Sequence, residues 1–250
     1  MPENKFPTEI VDIPSKGYFY PEKSPLSSGK VELKYMTAKD EDILTSQNLI
    51  AKGVVLDVLL NNIIVTPGIK VSDLLIGDKN ALLIAARVLA YGKEYEFEVS
   101  SPVTGESTTH TLDLTVLKDV ELDFSKFTKG LNEFDFTLPT TDRVIKYKLL
   151  TSGDIDSIER HAKSLSKLSN INKTLTTRLK SMILEVDGND EKQYISNFVD
   201  NEFFAVDSLS FREHLSNSTP DIDLEISIEV DGEEVEITVP MTVAFFWPSS

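Results

Sequence analysis

The sequence predicts an α+β fold built from two similar halves, residues 1–120 and 121–250, each running strand, helices, then a terminal β-hairpin. Three observations carry this. The run Val31-Glu-Leu-Lys-Tyr-Met-Thr37-Ala-Lys-Asp40-Glu-Asp42 lies without gaps on Ile145-Lys-Tyr-Lys-Leu-Leu-Thr151-Ser-Gly-Asp154-Ile-Asp156, and Lys34, Thr37, Asp40 and Asp42 meet identical residues. Each half then closes on an alternating apolar and acidic run with a turn in it. Helical stretches fill the middle of each half, and strands at the ends with helices between them are the pattern of α+β proteins.

In chain order, an apolar-Pro-Ser turn at Ile13-Pro14-Ser15 precedes the first strand, Val31 to Met36, whose β-branched and aromatic residues end at Thr37. Thr37-x-x-Asp40 resembles a helix N-cap with an acid in the first turn, which complements the positive end of the helix dipole. Helices are expected over Thr37 to Asn48 and Gly53 to Ile63. A further helix is expected over Asp78 to Tyr91, with Asp78 as N-cap, Leu82, Ala85, Ala86 and Leu89 on one stripe, and Gly92 as its stop. Tyr95, Phe97 and Val99 alternate with Glu94, Glu96 and Glu98, and Ser101-Pro102-Val103-Thr104-Gly105 turns the chain into Thr109 to Leu114. That is a hairpin with one buried and one acidic face.

The second half repeats the order. Leu138-Pro139-Thr140 precedes the strand from Ile145, and Thr151-x-x-Asp154 opens a helix to Leu168. Helices are expected over Lys173 to Val186, Glu191 to Asp200 and Ser208 to Asn217. Ile222, Leu224, Ile226, Ile228 and Val230 alternate with acids, Asp231-Gly232 turns the chain, and Val235 to Val239 returns.

Composition narrows the function. The 250 residues carry 41 acids against 25 Lys and Arg, a net charge of −16, three His and no Cys. Without Cys there are no disulfides, no thiol chemistry and no thiolate zinc site. Acidity argues against nucleic acid, because affinity for a phosphate backbone comes largely from basic residues. Basic protein surfaces remain suitable partners. Nearly all the excess acid sits in residues 181–240, whereas 161–180 holds Lys163, Lys167, Lys173, Arg178 and Lys180 with no acid, a polarity that would steer a charged partner. No signal-peptide stretch is seen in Met1 to Lys16, and the most apolar window, Ala81 to Tyr91, is interrupted by Arg87 and is too short to span a bilayer. A protein that works in the compartment where it is made is expected.

Catalytic motifs are not found. Gly29-Lys30 is followed by Val31, which fails the Walker-A pattern, and G-x-G-x-x-G and Gly-x-Ser-x-Gly do not occur. His110, His161 and His214 are isolated, and Asp187-Gly188-Asn189-Asp190-Glu191 puts its Gly in the wrong place for a calcium loop. The expectation is a protein that is not an enzyme, with no catalytic residues, no cofactor, no metal and no small-molecule substrate; the alternatives are an acidic chaperone that masks a basic partner protein and an unrecognised hydrolase.

Several segments together carry a family resemblance. Pro14-Ser15-Lys16-Gly17-Tyr18 before a strand, Met36-Thr37 leading into an acidic helix start, Asp78 with Arg87 and Tyr91-Gly92, and Phe245-Phe246-Trp247-Pro248 at the end resemble the baseplate hub subunit and hub assembly protein family of T-even-like tailed bacteriophages. The resemblance runs from about residue 10 to 248 and rests on the order of the motifs. It implies assembly of the central hub of a contractile-tail baseplate in the infected cell, either built into the virion or as an assembly factor, through contacts with other tail and hub proteins. Members often carry Cys-Pro-x-Cys knuckles at hairpin turns; here those turns read Ser101-Pro102-Val103-Thr104 and Val230-Asp231-Gly232-Glu233, so hairpins closed by turn chemistry alone are expected. Ser15, Lys16, Gly17 and Tyr18, and Phe245, Phe246, Trp247 and Pro248, are the candidate partner-binding residues, since aromatic anchors are enriched in interface hot spots. Packing of both segments against the protein's own core is the competing role.

Overall fold

A computed structural model describes residues 7–101, 104–166, 174–230 and 232–247. Its opening strands, β1 (Thr8–Asp12) and β2 (Lys30–Lys34), pair antiparallel with Val11 opposite Val31. The sequence pattern shows the second of these and misses the first, whose residues are mostly exposed and so carry no apolar alternation. Past β2, the N–H and hydroxyl of Thr37 both donate to Asp40 at 2.8 Å, and the fully buried Asp40 is held below the usual carboxylate range: burial would raise it, but the Thr37 and Asn62 hydrogen bonds and Lys34 outweigh that. The cap opens α1 (Ala38–Leu44), followed by α2 (Gln47–Lys52) and α3 (Val55–Ile63).

The single helix expected over Thr37 to Asn48 is thus two. The Thr45 hydroxyl bonds back to the Glu41 and Asp42 carbonyls, Thr45 ends α1, and Ser46 in an extended conformation starts α2. A 3-10 turn at Val71–Asp73 leads to α4 (Ile76–Tyr91), whose N-cap is Leu75, not Asp78. Leu75 is extended because it bridges Thr151, and Ser152 N–H donates to the Leu74 carbonyl at 2.8 Å; that contact with the second half fixes the helix start earlier than the local pattern does. Gly92 does end the helix, its N–H on the Val88 carbonyl.

The two hairpins match the alternation. β3 (Glu94–Ser100) pairs with β4 (Ser107–Asp113), and β8 (Glu225–Val230) pairs with β9 (Glu233–Thr238). Pro102, Val103 and Asp231, in the expected turns, lie outside the described residues. Between the hairpins, β5 (Phe134–Thr137), β6 (Val144–Tyr147) and β7 (Ile183–Val186) form one antiparallel sheet in that order. Four helices accompany it: α5 (Ser152–Ser166), α6 (Thr174–Met182), α7 (Lys192–Asn201) and α8 (Ala205–Ser216).

The second half also departs from the expected pattern. The helix expected over Lys173 to Val186 stops at Met182, and Ile183–Val186 is a strand. Its residues pair with β6, Ile145 opposite Val186, and the ladder overrides the helical spacing. α8 likewise begins at Ala205, three residues ahead of Ser208.

One continuous apolar core draws on residues from Ile13 to Phe246. Phe19 is central to it: it packs on Phe127 and Phe134, at 5.2 and 5.4 Å between ring centres. A satellite cluster of Leu150, Ile158 and Met182 lies beside it under α5 and α6. The α+β class is as the sequence predicts.

Candidate functional site

Helix α4 connects the two segments that the sequence singles out. Its residue Asp78, in the first turn and fully buried, accepts the Ser15 N–H at 2.9 Å and the Tyr20 hydroxyl at 2.6 Å; the same hydroxyl accepts the Leu75 N–H at 2.8 Å. Burial pushes the Asp78 carboxyl up to about 6, against the opposing pull of the Tyr20 and Ser15 hydrogen bonds. Burial and the neighbouring carboxylate also raise the Tyr20 phenol, so it stays a hydrogen-bond donor at every physiological pH. This set fastens the arm, residues 13–29, to the N-terminal end of α4. Gly17 is obligatory in that arm: its φ is +73°, and a Cβ would lie 2.4 Å from the Ser27 carbonyl oxygen.

At the other end, Arg87 is almost wholly buried and meets carbonyl oxygens instead of acids. Nε donates to Phe245 at 3.1 Å, one terminal nitrogen to Gly92 at 3.0 Å and the other to Glu94 at 3.2 Å. Its plane also lies over the Tyr91 ring, 5.3 Å from the ring centre. Arg87 therefore joins the C-terminal 3-10 turn, Val243–Phe246, to the end of α4 and the start of β3. Tyr91 completes the joint by donating its hydroxyl to Glu41 of α1 at 2.7 Å, and burial together with that bond pushes the phenol up to about 12.

Two of the candidate partner-binding residues keep large accessible side chains. Lys16 is exposed, with φ 51° and its Nζ over the Phe124 ring, and Trp247 is 38 % exposed. Tyr18 is half-buried against Phe124, with ring centres 5.2 Å apart. Ser15 and Gly17 are buried in the arm, and Phe245 and Phe246 are fully buried, Phe245 against Tyr95. Pro248 lies outside the described residues. The two segments are not brought together: Asp78 and Arg87 anchor them nine residues apart along α4, about 14 Å at 1.5 Å per residue.

Sequence reasoning missed that the second half carries the same anchor. Asp207, fully buried in the first turn of α8, accepts the Thr140 N–H at 2.8 Å and the Thr141 hydroxyl at 3.1 Å. Thr140 follows Leu138-Pro139 as Ser15 follows Ile13-Pro14, and both acids come three positions after an apolar N-cap, Leu75 or Phe204. An acid at the third helical position after an apolar cap is the signal that was there to read. Thr151 and Asp154 likewise reproduce the Thr37 and Asp40 cap, with both donors of Thr151 at 3.1 Å.

The histidines sit among aromatic side chains. His214, half-buried, bonds the Tyr147 hydroxyl at 2.7 Å and stacks on Phe136, and burial lowers its pKa. His110 stacks on Phe97. Among the described residues no three His, Asp or Glu are grouped to hold a metal ion, and no helix is long and apolar enough to cross a membrane.

Neither the curated proteins nor the solved structures provide a match to this chain. The model of one family, described as T4 bacteriophage base plate protein, matches residues 18–247. That stretch contains α4 with Asp78 and Arg87, the cap at Thr37 and the C-terminal aromatic turn. With nearly the whole chain matched, the protein belongs to the T4 bacteriophage base plate protein family.

Proposed function

We propose that this baseplate protein is a central hub subunit or a hub assembly factor, that it acts through contacts with other tail and hub proteins, and that it catalyses no reaction. The observation that carries the proposal is the family match over residues 18–247. The structural framework is consistent with it: the two buried charged groups of α4 act as internal anchors, Asp78 on Ser15 and Tyr20 and Arg87 on three backbone carbonyls. Assembly would take place in the host cytoplasm and the product would reside in the tail baseplate. Lys16 and Trp247, the accessible members of the two segments, and the half-buried Tyr18 would contact partners, while Ser15, Gly17, Phe245 and Phe246 hold them in place.

Mass spectrometry of purified tails alongside the infected lysate tests the role. Presence in finished tails at a fixed ratio to other baseplate proteins marks a subunit; presence in lysate with tail-protein partners, but not in tails, marks an assembly factor. Absence of any tail-protein partner in both would overturn the proposal.

The division into halves at residues 120 and 121 belongs to the same reading. We infer that the halves are copies of one unit, supported by the paired anchors Asp78 and Asp207 and the paired caps at Thr37 and Thr151. A second functional reading, an acidic chaperone that masks a basic partner, draws on the outer faces of the hairpins. β3 presents Glu94, Glu96 and Glu98, and β8 and β9 present Glu225, Glu229, Glu234 and Glu236. Masking of that kind would weaken steeply as salt rises, whereas aromatic docking would not.

A further inference from the structure

We propose that the groove between α6 and α8 docks an acidic amphipathic segment of a partner protein, with the segment's apolar side chains seated between the helices and its carboxylates on Arg178 and Arg212. The groove encloses about 340 Å³, a size typical of a small ligand cleft. On one side Leu175, Leu179 and Met182 follow helical spacing along α6; on the other Leu215 of α8 faces them. Leu175 is 48 % exposed at the rim, and Leu150 and Met182 of the satellite cluster form part of the floor without closing the groove. An apolar helix-lined trough of this kind is what an amphipathic helix fills when it binds.

Charge identifies the occupant. Arg178 and Arg212 both line the groove and both are exposed. Among the described residues neither has a carboxylate within ion-pair distance; Arg212 donates only to the Ser208 carbonyl of its own helix, at 3.3 Å. Other cations are spent differently, Lys180 of α6 on Asp200 and Arg143 on Asp187 and Glu202. In a chain with a net charge of −16, an apolar groove flanked by two uncommitted guanidinium groups stands apart from the rest of the surface. The acid in its lining, Asp221, is turned to the protein, accepting from Asn80 at 3.1 Å and from the Ile222 N–H at 2.8 Å. A guanidinium binds a carboxylate through two parallel hydrogen bonds, so the two Arg select acids next to the apolar anchors and reject a basic segment.

The inference deepens the docking role proposed above by naming the chemistry of the partner segment. Peptide binding and presence in tails are separate readouts, so either can fail without the other. The probe is a fluorescent amphipathic peptide of about 14 residues with Leu on one face and Glu beside it, compared with a twin in which Lys replaces every Glu. Anisotropy with the full chain should show saturable binding of the Glu peptide and at least about tenfold weaker binding of the Lys twin. R178E/R212E should cost the Glu peptide roughly tenfold or more and improve the Lys twin. Leu175→Asp should weaken binding of the Glu peptide by removing an apolar rim contact. Circular dichroism verifies that each variant is folded, and R178Q/R212Q serves if charge reversal unfolds the chain. Equal binding of both peptides, no saturable binding, or a Glu-peptide affinity indifferent to the Arg substitutions would overturn the proposal.

Discussion

Asp78 is a carboxyl whose folded-state value, about 6, lies well above its ordinary 3.8, and that difference has a definite sign. Between those two values the native protein holds the proton and the unfolded chain does not. This residue's contribution therefore stabilises the fold as pH falls from neutral toward 4, by up to about 3 kcal/mol. Asp40 and Asp154, both held below the ordinary value, act in the opposite sense: their contribution is present above about 4 and is lost as pH falls further. The difference in unfolding free energy between the wild type and Asp78→Asn, followed by urea titration from pH 7 to 4, should isolate the Asp78 part. The variant should lack the gain on acidification. Asp78→Ala should cost about 2–4 kcal/mol at neutral pH, because the Tyr20 hydroxyl and Ser15 N–H lose their acceptor inside the protein. Arg87→Ala should cost about as much, with three carbonyls losing a donor at once. Its second readout is fluorescence: Trp247 is the one tryptophan of the chain and lies two residues beyond Phe245, so its emission should shift to the red as the C-terminal turn loosens.

At the scale of elements, the hairpins and the arm make separate predictions. Glu229 and Glu234 face each other directly across β8 and β9, a like-charge pair that weakens the ladder. Glu234→Lys turns it into an opposite-charge pair and should raise stability by about 0.5 kcal/mol, a gain that shrinks in high salt and is read from the denaturation midpoint. Gly17→Ala should destabilise by about 2 kcal/mol or more, since the residue has a left-handed φ and its Cβ would collide with backbone. How legible each element was depended on where its determinants lie. The Thr37 and Thr151 caps act across three residues, so the sequence displays them. β7 does not display itself, because Ile183–Val186 continues a helical run and becomes a strand only through its ladder with β6. α4 shows its stripe and its Gly92 stop, but its first residue is set by the bridge from Leu75 to Thr151.

Over the whole molecule, the proposed repeat of one unit would not make the halves independent folding units. Phe19 of the first half packs on Phe127 and Phe134 of the second, and Gly77 of α4 approaches the chain leading to β8 so closely that a Cβ would lie 2.1 Å from the Pro220 carbonyl oxygen. With the core continuous across residue 120, calorimetry should record one cooperative transition, with calorimetric and van't Hoff enthalpies in agreement. Two resolved transitions would contradict that expectation.

The sequence by itself determined the α+β class, the two acidic hairpins and the absence of thiol chemistry, because these follow from composition, from periodicity and from contacts a few residues apart; the family showed only as a resemblance in the order of its motifs. It marked the two terminal segments without saying which of their residues point outward. Only the tertiary structure decided that Ser15 and Phe245 serve as anchors while Lys16 and Trp247 remain accessible, that Asp78 sits behind Leu75 in the first turn of its helix, and that α6 and α8 leave a groove flanked by Arg178 and Arg212. The physical reason is range: burial and partner choice depend on residues tens to more than a hundred positions away, such as Ser15 for Asp78 and Phe245 for Arg87, and no local pattern encodes which of them will meet.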